Sequence, residues 1–327
     1  MKSLVEKILK ESPDPLNVRK STALVFNNLK LISINLSKIE DVAKIIREKI
    51  DKKQVLTEEQ FGSANPTPQL IFVLDTLNFC FWAKKDEEKW TIEYPKSNYI
   101  SNGWFALVAC IDRAQKEGVP ILNASYLKNA TFPDIQHIFR SSNNTEIPLL
   151  RDRVKVLNET GKILMEKYNG DIYNLLAATG LNAGKIACEV AKNFPSFSDF
   201  SLLDNKEKMC FYKRAQIFAY DISLLHGIKA KNLESLTAFA DYKIPQILRA
   251  LGIIEYKTEL ANKVDNYIIL KSGSNEEIEI RASTIWACEL LAKEIVIDPV
   301  WVDNALWKMS QSLKDVKPYH RVLSTNY

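Results

Sequence analysis

Residues 237–246 read Thr237-Ala238-Phe239-Ala240-Asp241-Tyr242-Lys243-Ile244-Pro245-Gln246, and the chain continues as Ile247-Leu248-Arg249-Ala250-Leu251-Gly252. Proline fixes φ and lacks an N–H, so it suits the first position of a helix, and glycine suits the position just past a helix end. Pro245 and Gly252 therefore bracket a short helix, and Asp241 to Ile244 become the turn joining it to a preceding helix. A carboxylate in that turn sees the positive end of the helix and stays ionised at neutral pH even when partly buried. Its plain reading is a helix cap. Between Phe239 and Tyr242, an ionised carboxylate also suits a flat ring and a developing cation.

Composition carries the helical reading outward. The chain has 10 glycines and 12 prolines in 327 residues, well below an average usage of about 12% for the two together. Hairpins, bulges and phosphate-cradling loops all consume glycine, so a glycine-poor chain favours helices. A hydrophobic fraction of 46% supplies a large core and excludes disorder, collagen-like repeats and a disulfide-stapled miniprotein. The net charge of +4 is too small for a duplex-wrapping protein, so no direct DNA partner is expected. Cys80, Cys110, Cys188, Cys210 and Cys288 form an odd set without a C-x-x-C pair and read as core thiols in a reducing compartment. No secretion-type apolar region opens the chain, and no run approaches the ~18 apolar residues of a membrane span. These observations predict a cytoplasmic protein, without a membrane partner.

Along the chain, Ser37-Lys38-Ile39-Glu40 predicts a capped helix reaching about Ile50. Leu70 to Trp82, LIFVLDTLNFCFW, is the most apolar segment, and its periodicity leaves buried strand and buried helix both open. Helices are expected over Gly103 to Glu117, stopped by Gly118, from Thr131 onward, over Arg151 to Tyr168, and over Phe211 to Leu225. Further helices are expected over Trp286 to Ile295 and Val300 to Leu306. Tyr267 to Leu270 and Ile278 to Arg281, across Ser272-Gly273-Ser274, predict a small β-hairpin. No repeat, linker or composition shift divides the chain. The expected architecture is one mainly α domain over 1–327, with 1–69 as a looser helical cap.

Several chemistries lose support. Gly180-Leu181-Asn182-Ala183-Gly184-Lys185-Ile186 is one residue short of a phosphate loop and has Ile where Ser or Thr should hold magnesium, so it reads as a helix turn. His137, His226 and His320 are widely separated, which disfavours zinc. Neither a G-x-S-x-G elbow nor a G-x-G-x-x-G fingerprint occurs. No metal and no cofactor are expected. Four polar clusters in apolar surroundings remain: Asp75 to Trp82, Phe211 to Gln216, Thr237 to Gln246, and Asp303 within Pro299 to Trp307. Taken singly, each can be structural: Asp75 a buried cap, Lys213 and Arg214 a solvated face, Asp303 a first-turn carboxylate.

Together these segments resemble a known family. FVLDTLNFCFW at 72–82, RVKVLNETGKILMEKYNG at 153–170, FYKRAQI at 211–217, FADYKIPQIL at 239–248 and His320-Arg321 near the end are collinear with the queuosine salvage proteins, the queuosine 5′-phosphate N-glycosylases. The resemblance covers residue 70 onward and is loose before it. It implies a mostly helical fold similar to helix-hairpin-helix DNA glycosylases, and a hydrolase that releases queuine from queuosine 5′-monophosphate for reinsertion into transfer RNA. It also implies that Asp241 is the catalytic carboxylate, that Lys213 is an active-site residue, and that Asp303 lies near the base. Lys243 stands where an arginine is common after FADY, and Lys308 follows Leu306-Trp307 where relatives carry an acid; both departures touch pocket detail.

Ribosyl transfer to water passes through an oxocarbenium-like state, which a fixed carboxylate stabilises or attacks. Queuine is a 7-deazaguanine, so the ring position that guanine uses for protonation is carbon. Help for the leaving group must come from the ring edge, with Gln246 or Asn78 as candidates. Asp303 would pair with the amine of the base. Lys213, with Arg214 as a possible second, would hold the phosphate. Trp104, Phe239 and Tyr242 are the candidate stacking faces. The expected protein is a monomer acting on a small nucleotide. The alternative is a non-catalytic transfer-RNA-binding module of the same shape, disfavoured by the modest charge.

Overall fold

Helix boundaries follow the caps that the sequence supplies. Thr131 and Asp134 form a reciprocal capping box ahead of the Phe132–Ile138 helix. Asn182 caps the Ala183–Asn193 helix by accepting from Lys185 N, so the glycine-flanked segment is a helix turn, as expected. Gly118 and Gly252 sit past their helices at φ 81° and 73°. The computed structural model describes residues 2–203 and 206–327. Among these are fifteen α-helices and four two-stranded sheets, so the chain is mainly α as the sequence predicts.

The ambiguous apolar run resolves into two parts. Thr67 and Pro68 start a helix over Pro68–Thr76, and residues 77–83 then leave regular structure while staying buried. Buried irregular backbone must find partners for its carbonyls. Arg153 supplies them at Leu77 O, Phe79 O and Cys80 O (2.7, 2.5 and 3.2 Å), and Arg214 binds Thr76 O. Both arginines are fully buried and lie against the Phe79 ring.

At the centre lies the Asn275–Ile295 helix, buried along nearly its whole length. It packs against the Val18–Phe26, Ile39–Asp51, Lys243–Ala250 and Pro299–Ser310 helices. The N-terminal segment is tied into this core. Trp286 stacks on Phe26 with centroids 5.5 Å apart, Arg19 pairs with Glu289 at 2.8 Å, and strand Ile32–Ile34 pairs with Ile254–Tyr256.

The expected 267–281 hairpin does not form. Ile269–Leu270 instead pairs in parallel with Arg321–Val322, and Ile278 to Arg281 lies inside the central helix. Ser274 caps that helix, and Glu276 and Glu277 occupy its first turn. Because Ile278, Glu279, Ile280 and Arg281 are all buried, alternation there reports polar groups partnered inside the core, Glu279 with backbone N–H groups and Arg281 with Asp199, rather than a half-exposed strand. The Ser37 box also gives way to Asn35, which caps a 3-10 turn leading into the Ile39–Asp51 helix. Among the described residues no helix is long and apolar enough to cross a membrane.

One helix pair makes a stability prediction. A Cβ on Gly161, inside the Leu150–Tyr168 helix, would land within 2.8 Å of the backbone of Ala124, Leu127 and Lys128. Asn158 fastens the same junction by donating to Leu127 O and Ala130 O at 2.8 and 3.0 Å. Backbone cannot swing aside as a side chain can, so Gly161→Ala is expected to cost about 1–3 kcal/mol. Urea unfolding checks it, and an unshifted midpoint would show that the helices separate freely.

Candidate active site

The Lys213–Leu224 helix sets one wall. Tyr212 precedes it in the left-handed region at φ 49°, a conformation that a bulky residue holds only under constraint. Asp199 supplies that constraint: its backbone O accepts from Phe211 N and Tyr212 N at 3.0 and 3.1 Å, and its carboxylate accepts from Lys213 N at 3.0 Å. The Lys213 ammonium is thereby directed inward, 3% exposed, and donates to Asn78 O at 2.9 Å. Ile217, Tyr220 and Asp221 follow Lys213 at helical spacing and line the same cavity.

Asp241 lies opposite. Its Oδ1 accepts from Lys243 N and Ile244 N at 2.7 and 2.9 Å, so it caps the Lys243–Ala250 helix. That helix starts two residues earlier than Pro245 suggests, with proline third in the first turn, where N–H groups lack helical partners anyway. The expected preceding helix is also absent: the residues before Asp241 are irregular, after a 3-10 turn over Leu233–Ser235. Both cap bonds fall on Oδ1, and among the described residues Oδ2 has no protein hydrogen bond. The neighbouring peptide is fixed by Arg281, whose Nε donates to Ala240 O at 2.9 Å.

Asp303, on the Pro299–Ser310 helix, accepts from Phe239 N through Oδ2 at 2.8 Å. Next to it, Asn304 donates to the Tyr220 hydroxyl at 2.6 Å. The cavity lined by these elements opens to solvent and leaves about 140 Å³ for the centres of water-sized molecules. Asn78, Trp104, Lys213, Phe239, Asp241, Tyr242 and Asp303 all line it. Gln246 does not: its amide donates outside the cavity to Lys317 O at 2.8 Å. Arg214 is likewise spent on Thr76 O and Ser196 O.

Four buried carboxyls surround one buried ammonium. Asp75, 0% exposed with both oxygens unpartnered, is pushed up to about 8 by burial, against the pull of Lys213. Burial, with Asp75 nearby, holds Asp221 well above the usual carboxylate range. Burial, then the Asp241 charge, does the same to Asp303. Burial pulls Lys213 down to about 8, opposed first by Asp241 and then by Asp75. Asp241 is raised by burial but held back by Lys213 and the two cap N–H groups. Water exclusion thus leaves Asp241 as the carboxyl best supported in its ionised form, with the Lys213 charge acting on it through space.

The family model described as queuosine salvage protein matches residues 59–327. The chain belongs to the queuosine salvage protein family. A mouse protein named queuosine 5′-phosphate N-glycosylase/hydrolase is 32% identical over 338 residues, covering 96% of this chain and 99% of its own length. A protein of the same name from Sphaerobacter thermophilus is 40% identical over 269 residues, 79% of this chain and 80% of its own. One from Schizosaccharomyces pombe is 30% identical over 318 residues, covering 89% and 91%.

Within this family member, sequence reasoning missed part of the cavity. Asp221 and Tyr220 carry a signal, the helical spacing from Lys213. Lys89, from the exposed charged run Lys84 to Lys89, carries none, nor does Gln60. Tyr319 and Tyr327 reach the wall because the final residues fold back over the 77–83 segment, with Tyr327 O accepting from Cys80 N at 3.0 Å.

Proposed function

We propose that this chain hydrolyses the N-glycosidic bond of queuosine 5′-monophosphate, acting as a cytoplasmic monomer on the free nucleotide. The observation that carries the reading is the Asp241 carboxylate and the buried Lys213 ammonium lining one aromatic-walled cavity. Asp241, through Oδ2, stabilises positive charge at the anomeric carbon as the bond to the base nitrogen breaks. Water adds its oxygen to that carbon, and a proton goes to the departing base, giving queuine and ribose 5-phosphate. Carboxylate and water balance this reaction, so it calls for no resident cofactor. Phe239 and Tyr242 offer ring faces, and Asp303 takes up charge when the amine of the base arrives.

Lys213 acts as the charge partner of Asp241 rather than as a phosphate ligand. Its ammonium is buried, bonded to Asn78 O and flanked by carboxyls, a setting that repels a dianion. Chromatography for released queuine, after incubation with the free nucleotide and separately with transfer RNA, tests the reading; no release from the nucleotide overturns it.

The pH dependence follows from the same pair. Asp241 must be ionised, and burial raises its pKa, so activity is lost as pH falls through a value above the ordinary ~4. Removing Lys213 removes the largest of the influences that oppose burial. Lys213→Met is therefore expected to move the acid limb of kcat/KM upward by about one pH unit and to lower kcat at least tenfold, for nucleotide and nucleoside alike. An acid limb that stays in place would separate Lys213 from Asp241.

A further inference from the structure

The departing base must gain a proton, and the ring position at which guanine takes one is carbon in queuine. Gln246, expected to help, lies outside the cavity. Three buried carboxyls besides Asp241 stand nearby, and their surroundings differ. Asp75 is fully buried and lies behind the cavity wall. Asp303 is on the wall, but its Oδ2 is held by Phe239 N at 2.8 Å. Asp221 is on the wall, 5% exposed, and among the described residues its carboxyl has no hydrogen-bond or ion-pair partner. A neutral carboxyl there has a free O–H to direct at a bound ring.

We propose that Asp221 is the catalytic acid that protonates the departing base, with Asp75 behind it as a positioning residue. The inference rests on the hydrolase reading and names the source of its proton. As the bond between the anomeric carbon and the base nitrogen breaks, its electron pair stays with the base. The Asp221 O–H bond breaks, and that proton goes to an acceptor on the ring edge. Queuine leaves neutral and Asp221 is left as a carboxylate. The water that adds to the anomeric carbon releases one proton, which restores Asp221, so water is the only reactant consumed besides the nucleotide.

The side-chain cluster favours a protonated resting state. The Pro68–Thr76 helix packs against the Lys213–Leu224 helix and brings Asp75 up to the face that carries Lys213 and Asp221. Facing Asp221 are Asp75, then Lys213 from its own helix, then Asp303 from the Pro299–Ser310 helix, with the Tyr220 hydroxyl also near. Facing Asp75 are Lys213, the Asn78 side chain and Arg214, and Arg214 is spent on Thr76 O and Ser196 O. One ammonium cannot neutralise four carboxyls away from water, so once Asp241 takes that charge the others retain protons. Burial, then Asp75, raises the Asp221 pKa, which keeps the acid loaded at neutral pH.

The test adds a nitrophenyl riboside 5-phosphate, whose leaving group departs as a stable anion and needs no proton. Asp221→Asn is expected to lose about 100-fold in kcat on queuosine 5′-monophosphate with KM little changed, yet less than about tenfold on the nitrophenyl substrate. Asp241→Asn is expected to fail on both. Equal losses of Asp221→Asn on the two substrates overturn the assignment while the hydrolase reading stands. Release from neither substrate by wild type overturns the hydrolase reading itself. Asp75→Asn, which alters no residue of the cavity wall, supplies a second readout should Asp221→Asn not fold. The Asp75 charge raises both Asp221 and Lys213, so its loss moves the alkaline limb of kcat to lower pH. The part due to Lys213 is common to both substrates, and the part due to Asp221 appears with the nucleotide alone. The nucleotide limb is therefore expected to move about one pH unit further than the nitrophenyl limb; equal movement overturns Asp221 as the acid.

Discussion

Asp241→Asn is expected to abolish release of queuine, lowering kcat by about 10³-fold or more, while the protein folds normally and still binds the nucleotide. The fold survives because the asparagine oxygen can keep accepting from Lys243 N and Ile244 N, the two bonds that fasten the start of the Lys243–Ala250 helix; asparagine is as good a cap as aspartate. Chemistry is lost because the substitution removes the negative charge opposite the anomeric carbon and leaves Lys213 beside it without its main counter-charge. A thousandfold is about 4 kcal/mol of transition-state stabilisation, of the size expected when a charge fixed in a water-poor site is deleted. The measurement pairs a thermal melt with single-turnover release of the base. Turnover within tenfold of wild type, in a protein with an unchanged melt, would show that Asp241 is only the cap its sequence context first suggests.

That double role explains how far the sequence could be read. Caps and stops are local, so the Phe132–Ile138, Leu150–Tyr168 and Gly103–Lys116 helices were legible from Thr131, Asn169 and Gly118. The hairpin was misread because Ile278 to Arg281 is buried on every side. Glu279 there accepts from Lys30 N and Leu31 N, a long-range demand that no local pattern shows. The same distinction divides the site. Asp241, Lys213, Asp303 and Asn78 stood out as polar residues inside apolar runs. Gln246 stood in such a run as well, but it faces Lys317. Lys89 comes from a charged, exposed stretch whose composition says only surface. Its place in the cavity lining is set by tertiary structure that no local pattern shows.

The positions of both essential groups converge on one buried ion pair, and this makes Arg281 the residue whose loss should damage stability most. Its guanidinium donates to both oxygens of Asp199 at 2.8 and 2.6 Å, lies 4.0 Å from the Phe211 ring centroid and holds Ala240 O beside Asp241. Asp199 in turn fixes the start of the helix that carries Lys213. Arg281→Ala strands the Asp199 carboxylate in a site where it is 2% exposed. Breaking a buried pair on one side costs about 3–5 kcal/mol, because the remaining charge has lost its partner without regaining water. Denaturant unfolding should show that loss. The Asp199→Ala/Arg281→Ala double variant should be less destabilised than the sum of the single variants, since it removes the stranded charge. Arg281→Lys keeps a charge but not the two-pronged contact, so it should fold, lose part of the stability, and lower kcat more than it raises KM as Ala240 and Asp241 shift. Additive single and double variants, or an Arg281→Lys protein with wild-type kcat, would show that Lys213 and Asp241 are positioned independently of this pair.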